Sequence, residues 1–96
     1  MAIQSFTQAD LKDFFDTGKV PKKASWQKVQ KIAARKLDMI EYAHKLEDLR
    51  SPPGNKLEAL QDDLKGLHSI RINDQWRVVF EWTEQGPGKV RIIDYH

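Results

Sequence analysis

The sequence lacks cysteine, and this absence excludes several kinds of chemistry at once. None of the 96 residues is cysteine, so the chain has no disulfide, no zinc–thiolate site and no thiol nucleophile. No apolar run approaches the roughly 18 residues that a membrane-spanning helix needs. The opening Met1–Phe6 also lacks the basic-then-apolar layout of a secretory signal. These absences predict a cytoplasmic chain without a membrane partner.

Motifs for nucleotides and metals are missing as well. The sequence contains no Walker loop, no dinucleotide fingerprint and no His-Glu-x-x-His motif. A metal site at Asp94 and His96 would have two ligands and no evident third. The sequence therefore predicts no cofactor and no metal.

The composition is that of a small folded domain. The chain is 40% hydrophobic and 31% charged and contains three Trp and four Phe, which is typical of a folded chain and not of a disordered one. Its length fits a single domain, because domains usually have roughly 100 to 200 residues. We therefore predict one domain over residues 1–96.

Two helices are predicted in the first half of the chain. Thr7 or Asp10 can cap the first helix, and Gly18 can end it. Ser25 stands where the N-cap of a stronger second helix belongs, and its apolar stripe predicts roughly 20 helical residues before the helix breaks up near Leu49. The first helix is predicted to be the shorter of the two.

Charge is distributed unevenly, although the net charge is only +2. Seven basic residues and no acidic one lie between positions 19 and 36, namely Lys19, Lys22, Lys23, Lys28, Lys31, Arg35 and Lys36. Three of them, Lys28, Lys31 and Arg35, share one solvent-facing stripe of the predicted second helix. This patch is either a solvated helix face or a surface that binds an anionic partner.

Strands are predicted after a concentrated helix breaker at Ser51–Asn55. Alternation of apolar and polar residues predicts strands within Lys56–Leu60, Ser69–Asn73, Trp76–Trp82 and Lys89–Tyr95. A reversal is predicted at Gln85–Gly88. Helices followed by strands indicate an α+β fold, with two N-terminal helices packed on one face of an antiparallel sheet of about four or five strands.

Two arginines are the first candidates for chemistry. Arg71 and Arg77 are predicted on adjoining strands, where their guanidinium groups could hold a phosphate in bidentate fashion. The alternative is cross-strand pairing with Glu81 or Asp94.

The ending Asp94-Tyr95-His96 places a carboxylate, a phenol and an imidazole together. His96 can transfer protons near neutral pH, and Tyr95 can orient or donate. The alternative is that Tyr95 packs and His96 frays, as terminal residues usually do. With the two arginines, these groups are consistent with a metal-free phosphodiester site in which the RNA 2′-hydroxyl is the internal nucleophile.

Three segments carry a resemblance to a known family. They read RSPPGNKLEAL at 50–60, SIRINDQWRVVF at 69–80 and DYH at 94–96. They resemble the HigB-type toxins of the RelE superfamily, the plasmid maintenance system killer proteins, and more narrowly the GraT-like branch. The resemblance implies a RelE-like fold and a type II toxin that cleaves mRNA in the ribosomal A site without a metal. It also implies three partners: the ribosome, mRNA and a HigA-type helix-turn-helix antitoxin. The toxin would contact operator DNA only through this antitoxin.

The resemblance also implies roles for individual residues. Arg77 and the ending Asp94, Tyr95 and His96 match the active-site positions of the family. The basic helix and its surroundings would contact ribosomal RNA or mRNA, which implies binding roles for Lys22, Lys23, Lys28, Lys31, Arg35, Lys56 and Asn73.

The sequence departs from the family at one catalytic segment. Where better-studied relatives read His-Pro-Leu-Lys, this chain reads Glu58-Ala59-Leu60-Gln61. One interpretation is that Glu58 is the general base and His96 the acid, with Arg71 supplying the missing positive charge. The other is that losing the histidine and the lysine makes a slow nuclease.

Two functions without catalysis stay open as alternatives. ParE-type relatives with the same fold act as inhibitors that bind DNA gyrase, and a site lacking two catalytic residues could have drifted toward pure binding. A factor that binds the ribosome without cutting RNA is the second alternative. The intact Asp94-Tyr95-His96 ending favours the nuclease, because a pure binder has no need of it.

Overall fold

In the computed structural model, which describes residues 2–95, the first helix α1 spans Ala9–Thr17. The helix ends as predicted at Gly18, which has a left-handed φ of 77° and donates its N–H to the Phe14 carbonyl at 2.8 Å. Glycine is favoured there because it adopts this conformation without a Cβ penalty. The predicted cap is wrong, since the N-cap is Gln8 and not Thr7 or Asp10.

Gln8 ties the start of α1 to the last strand of the sheet. Its side-chain Oε1 accepts the N–H of Ile92 at 2.9 Å, and its Nε2 donates to the Ile92 carbonyl at 3.1 Å. The preceding residues follow the same strand in a parallel direction: Val90 N–H donates to the Ser5 carbonyl at 3.0 Å, and Thr7 N–H to the Val90 carbonyl at 3.0 Å. The N-terminal segment therefore covers one long side of the sheet.

The second helix is shorter than the sequence predicts. It begins with a 3-10 turn at Gln27–Val29 and continues as α2 over Gln30–Tyr42, so that Val29, and not Ser25, is the N-cap of α2. The chain leaves the helix because Asp48 Oδ2 accepts the N–H groups of His44 and Lys45 at 3.0 and 3.2 Å. That side chain starts a separate 3-10 turn, Leu46–Arg50, where a continuous helix was expected.

Buried Asn55 organises the chain between α2 and the sheet. It closes a 3-10 turn at Pro53–Asn55, directly after the predicted breaker, and its side chain is fully buried. Asn55 Nδ2 donates to the carbonyls of Leu49 and Ser51 at 3.1 and 3.3 Å. Lys36 of α2 donates from Nζ to Asn55 Oδ1 at 2.5 Å, which links the turn to the helix.

The four strands form an antiparallel meander. They are β1 (Glu58–Ala59), β2 (His68–Arg71), β3 (Trp76–Thr83) and β4 (Gly86–Asp94), paired in the order β1-β2-β3-β4. A 3-10 turn at Asp62–Leu64 joins β1 to β2. Both helices pack on one face of this sheet, which confirms the predicted α+β architecture.

The hairpin between β3 and β4 is tighter than predicted. Thr83 pairs with Gly86, so the reversal lies at residues 84–85, and the predicted turn residues 86–88 belong to β4. The Thr83 hydroxyl holds the turn by donating to the Gly86 carbonyl at 2.7 Å and accepting the Gln85 N–H at 3.2 Å. At Gly88 an added Cβ would lie 3.2 Å from Ser5 Oγ, because the N-terminal segment crosses closely at this point.

The core lies between the sheet and the helices. Alternate residues of the strands face it, as predicted, and buried residues of both helices complete it: Leu11, Phe14, Ala33, Leu37, Ile40, Ile70, Ile72, Val78, Phe80, Val90 and Ile92. The opposite face of the sheet therefore carries Ser69, Arg71 and Arg77 away from the helices. No helix within residues 2–95 is long and apolar enough to cross a membrane.

Candidate active site

The sheet places four polar residues on the face that the helices leave uncovered, and three of them, Glu58, Ser69 and Arg77, form one cluster. Glu58 of β1 pairs with Ser69 of β2, and Arg71 of β2 pairs with Arg77 of β3. Ser69 is therefore the diagonal neighbour of Arg77, within reach of a long side chain. Tyr95, directly after β4, reaches the same cluster.

Arg77 is held at the centre of this cluster. Its side chain is only 11% exposed, and Nη1 donates to Ser69 Oγ at 2.8 Å and to the Lys56 carbonyl at 3.2 Å. Among the residues that the structure describes, both hydrogen bonds of Arg77 come from Nη1. Nε and Nη2 thus keep donors for a planar anion such as a phosphate.

Glu58 and Tyr95 flank the guanidinium. The Tyr95 hydroxyl donates to Glu58 Oε1 at 3.1 Å, and the same oxygen lies 3.9 Å from Arg77 Nη1. The Arg77 guanidinium carbon lies 4.9 Å from the centre of the Tyr95 ring, within the range of a cation–π interaction. Tyr95 is fixed in turn by its N–H, which donates to the Gln75 carbonyl at 2.6 Å.

A depression of about 310 Å³ opens beside these groups. It is lined by Glu58, Ala59, Leu60, Gln61, Asp62, Leu64 and Tyr95. Its volume is at the lower end of the range for small-molecule sites, roughly 300 to 1,000 Å³. Glu58 and Gln61, the two residues that depart from the family pattern, therefore both line the cavity next to Arg77.

The structure does not bring every candidate residue into this cluster. Asp94 lies on the opposite side of the strand end from Tyr95, pairs with Trp76 and accepts a hydrogen bond from Gln75 Nε2 at 3.1 Å. Arg71 lies on the same face as Arg77 but forms an ion pair with exposed Asp74. His96 lies outside the described residues.

The cross-strand ion pairs considered for the arginines are replaced by others. Glu81 forms an ion pair with Lys89, in which Lys89 Nζ lies 3.7 Å from Glu81 Oε2. The acidic partner of Arg71 is Asp74, and that of Arg77 is Glu58. Ser69 is the site residue that the sequence did not single out. Alternation places it on the polar face, but its contact with Arg77 depends on a strand register that alternation does not reveal.

The candidate RNA-binding residues divide between two places. Lys31 and Arg35 are exposed on the side of α2 that faces away from the sheet. Lys28, predicted on the same helix, is exposed in the 3-10 turn Gln27–Val29 that precedes α2, and Lys22 and Lys23 are exposed before that turn. The basic face of α2 and the Arg77 cluster therefore lie on opposite sides of the molecule.

The other two candidate RNA-binding residues lie near the strands. Lys56 is exposed, has a φ of 45° and contacts Arg77 through its carbonyl. Asn73 Oδ1 accepts the N–H groups of Gln75 and Trp76 at 2.9 and 2.8 Å, so this side chain shapes the β2–β3 turn. In residues 2–95 no cluster of three or more His, Asp or Glu side chains could hold a metal ion.

His68, on the core side of β2, makes stability depend on pH. Its ring stacks on Phe80 with centroids 6.3 Å apart, and its buried Nδ1 has no hydrogen-bond partner within residues 2–95. Burial lowers the pKa of His68 below its usual 6.5, so the unfolded chain binds the proton more readily than the folded one. Stability should therefore decrease as the pH falls below about 6.5.

Urea unfolding at about pH 5 and about pH 8 measures this dependence. We expect His68→Phe to reduce the difference between the two free energies of unfolding, with exposed His44→Gln as the matched control. An equal difference in His68→Phe and in the wild type would contradict this role.

Comparison with known proteins identifies the family. Residues 4–96 match the family model described as RelE-like toxin of type II toxin-antitoxin system HigB. The chain belongs to the HigB-like toxin family. The match covers both helices and all four strands of this HigB-like chain.

Two curated relatives match part of this HigB-like chain. Toxin HigB-1 of Vibrio cholerae is 43% identical over 56 residues, covering 58% of the chain and 59% of the relative. An uncharacterized protein of Haemophilus influenzae is 46% identical over 52 residues, covering 54% of the chain and 52% of the relative. The chain thus spans between half and two thirds of the length of the curated relatives that it matches.

Solved structures share the fold of this HigB-like chain. A YoeB/ParE toxin from Agrobacterium tumefaciens superposes with a TM-score of 0.55 at 19% identity, covering 100% of both chains. The toxin in a YoeB-YefM complex from Staphylococcus aureus superposes with a TM-score of 0.56 at 20% identity, covering 100% of this chain and 97% of the other. At this level of identity the similarity establishes the RelE-like fold alone.

Proposed function

We propose that the chain is a single toxin domain over residues 1–96 that cleaves mRNA in the ribosomal A site without a metal cofactor. The observation that carries this proposal is the cluster of Arg77, Glu58 and Tyr95 on the uncovered face of the sheet. It combines a group that can accept a proton with a cation that has donors to spare. Phosphodiester cleavage by an internal nucleophile needs both of these groups, together with a proton donor for the leaving oxygen.

The proposed reaction begins at the ribose 2′-hydroxyl of the bound mRNA. Glu58 takes the proton of that hydroxyl, whose oxygen forms a bond to the adjacent phosphorus. Arg77 stabilises the negative charge that develops on the phosphorane, using Nε and Nη2. The bond from phosphorus to the 5′ oxygen then breaks, leaving a 2′,3′-cyclic phosphate on one fragment and a 5′-hydroxyl on the other.

The leaving 5′ oxygen needs a proton, and His96 is the proposed donor. It directly follows Tyr95 in the sequence, and the Tyr95 hydroxyl donates to the proposed base Glu58. Tyr95 orients Glu58 and covers one side of the guanidinium. Asp94 accepts a hydrogen bond from Gln75 Nε2 and so helps to fix the end of β4 directly before Tyr95.

The proposed partners follow from the family. Toxins of type II systems are neutralised by an antitoxin, and one structural neighbour is a toxin in a complex with YefM. We propose a helix-turn-helix antitoxin of the HigA type, through which alone the toxin reaches operator DNA. Ribosome and mRNA are the proposed targets, in the cytoplasm.

In vitro translation of a defined mRNA tests the proposal. Primer extension maps new 5′ ends with the wild type, His96→Ala and Glu58→Gln, and Lys12→Ala provides a control on the exposed side of α1. We expect ends in the ribosomal A site with the wild type and the control, carrying a 5′-hydroxyl, and a strong loss of these ends with the two active-site variants. Wild-type cleavage by both variants would exclude the mechanism.

A binding function is the second candidate, and the substitutions at Glu58 and Gln61 are what favour it. One structural neighbour is described as a YoeB/ParE toxin. The ParE-like alternative that the sequence resemblance leaves open is inhibition of gyrase without catalysis. Growth arrest without any new mRNA ends would reject the nuclease. Supercoiling by purified gyrase, with and without the chain, would then decide between gyrase and ribosome as the target.

Arg71 is expected to supply part of the positive charge that the site lacks. Arg71→Ala should lower the cleavage rate about tenfold, equivalent to about 1.4 kcal/mol of transition-state stabilisation. The matched control is Asp74→Ala, which removes the partner of Arg71 and keeps the cation. Full toxicity of Arg71→Ala, or an equal loss in both variants, would show that Arg71 has no role in charge stabilisation.

A further inference from the structure

Tyr42, the last residue of α2, exposes 76% of its surface to solvent. Within residues 2–95 the exposed large hydrophobic side chains are Tyr42 and Tyr95, and the proposed active site uses only Tyr95. A single exposed aromatic is common on protein surfaces and indicates nothing by itself. The position of Tyr42 relative to the basic residues of the same helix gives it significance.

Tyr42 lies in line with the cationic stripe of α2. At 3.6 residues per turn, Tyr42 is displaced by about 20° around the helix axis from both Lys31 and Arg35. Asp38 lies on the same stripe, displaced by about 40° from Tyr42. The exposed side of α2 therefore presents cations toward its start and an aromatic ring at its end, with one carboxylate between them.

The cationic end of this stripe is concave. Lys28, Lys31 and Arg35 line a shallow depression of about 530 Å³ together with Val29, Gln30 and Ile32. The residues that line it, all within the described part of the chain, contribute three cations and no carboxylate. Such a surface suits the phosphates of a nucleic acid backbone.

We infer that this face of α2 binds single-stranded RNA, with the backbone along Lys28, Lys31 and Arg35 and an unpaired base stacked on Tyr42. Unpaired bases stack on exposed aromatic side chains, and a basic groove beside the ring follows the backbone. The inference rests on the proposed function, because the ribosome is the proposed target and the bound strand would be an unpaired segment of its RNA. It adds a base-stacking contact to an interaction that would otherwise depend on charge alone.

The placement of the two faces agrees with this inference. α2 buries Ala33, Leu37 and Ile40 against the core, so the stripe points away from the sheet face that carries Arg77. One RNA can therefore occupy the stripe while the mRNA occupies the active site. A protein partner is the competing occupant, since tyrosine is also common in protein interfaces, but the three adjacent cations favour RNA.

Binding to purified 70S ribosomes tests the inference. We expect Tyr42→Ala to raise the Kd about tenfold and Tyr42→Phe to keep wild-type affinity, because stacking requires the ring and not the hydroxyl. The slope of log Kd against log salt should stay unchanged in Tyr42→Ala and decrease by about 0.7 in Arg35→Ala, which removes one phosphate contact. Lys12→Ala, on α1, is the control for losing an exposed cation elsewhere.

Cleavage kinetics separate this inference from the proposed function. Tyr42→Ala should need about tenfold more ribosomes for half-maximal cleavage and reach the wild-type rate at saturation. Wild-type affinity and kinetics in Tyr42→Ala, while the wild type cleaves mRNA, would overturn the inference and leave the proposed function intact. A loss of antitoxin affinity with unchanged ribosome affinity would also overturn it, in favour of a protein surface. A wild type that neither binds ribosomes nor cleaves would reject both.

Discussion

Replacing Arg77 with alanine is expected to lower the rate of mRNA cleavage by roughly 10²- to 10³-fold, the usual effect of removing one donor that stabilises charge in a transition state. Arg77 is the cation that the structure fixes most firmly at the proposed site. Ser69 and the Lys56 carbonyl hold Nη1, and the Tyr95 ring covers the guanidinium. The side chain is therefore already oriented before RNA arrives, so no energy is needed to reorient it as charge develops in the transition state.

The Arg77 experiment needs a control for folding. Arg77→Ala leaves the hydroxyl of buried Ser69 without its donor, which costs on the order of 1 to 3 kcal/mol of stability. Rates are therefore compared well below the melting temperature of each variant. Arg77→Lys keeps the charge but loses the fork of donors, and Lys12→Ala removes an exposed cation of α1, on the other side of the sheet. Cleavage at the wild-type rate by folded Arg77→Ala would exclude Arg77 from catalysis.

Asn55→Ala is expected to destabilise the chain by on the order of 3 kcal/mol. The substitution leaves the buried carbonyl of Leu49 and the partly buried carbonyl of Ser51 without the Asn55 donor. It also removes the hydrogen-bond acceptor of Lys36, whose pKa is lowered by burial because its ammonium group is poorly solvated. Three polar groups would lose their partner through one substitution, and water cannot reach a fully buried position without local opening. Urea unfolding of the wild type and the variant measures the loss.

A double substitution tests the reason for this loss. Lys36→Met removes the half-buried ammonium group that donates a hydrogen bond to Asn55 Oδ1. In the Asn55→Ala background, Lys36→Met should therefore recover part of the stability, because no unpaired charge is left. Strictly additive losses would show that Lys36 and Asn55 do not interact in the folded state. If Asn55→Ala lowers the free energy of unfolding by less than about 0.5 kcal/mol, the typical effect of a surface substitution, then the hydrogen bonds of Asn55 do not stabilise this turn.

Alternation predicted the faces of the sheet well because it depends only on the backbone. Val78 and Phe80 face the core and Arg77 faces away from it, and this alternation within β3 does not depend on how the other strands pair. The residue at which α2 ends could not be predicted from this pattern, because the apolar spacing continues to Leu49 although the helix stops earlier. The reason is the side chain of Asp48, which bonds to the backbone of His44 and Lys45.

The site could be predicted as a set of residues but not as an arrangement. Arg77 and Tyr95 were recognisable by type and by their resemblance to the family, and the structure brings them together with Glu58. The contact between Glu58 and Tyr95 depends on the pairing of the two-residue strand β1, which is too short to be recognised from alternation. The contact between Ser69 and Arg77 depends on the register between β2 and β3.

Neither edge of the sheet offers a free row of backbone donors and acceptors within the described residues. On one side β1 is only two residues long, and on the other side the N-terminal segment bonds to β4, with the Gln8 amide acting as an additional rung beside Ile92. Open edges invite strand addition, either by a partner peptide or by aggregation with a second copy. Among the described residues, an antitoxin that extended this sheet would find only the two-residue strand β1 to pair with, so we expect it to recognise the toxin mainly through side chains.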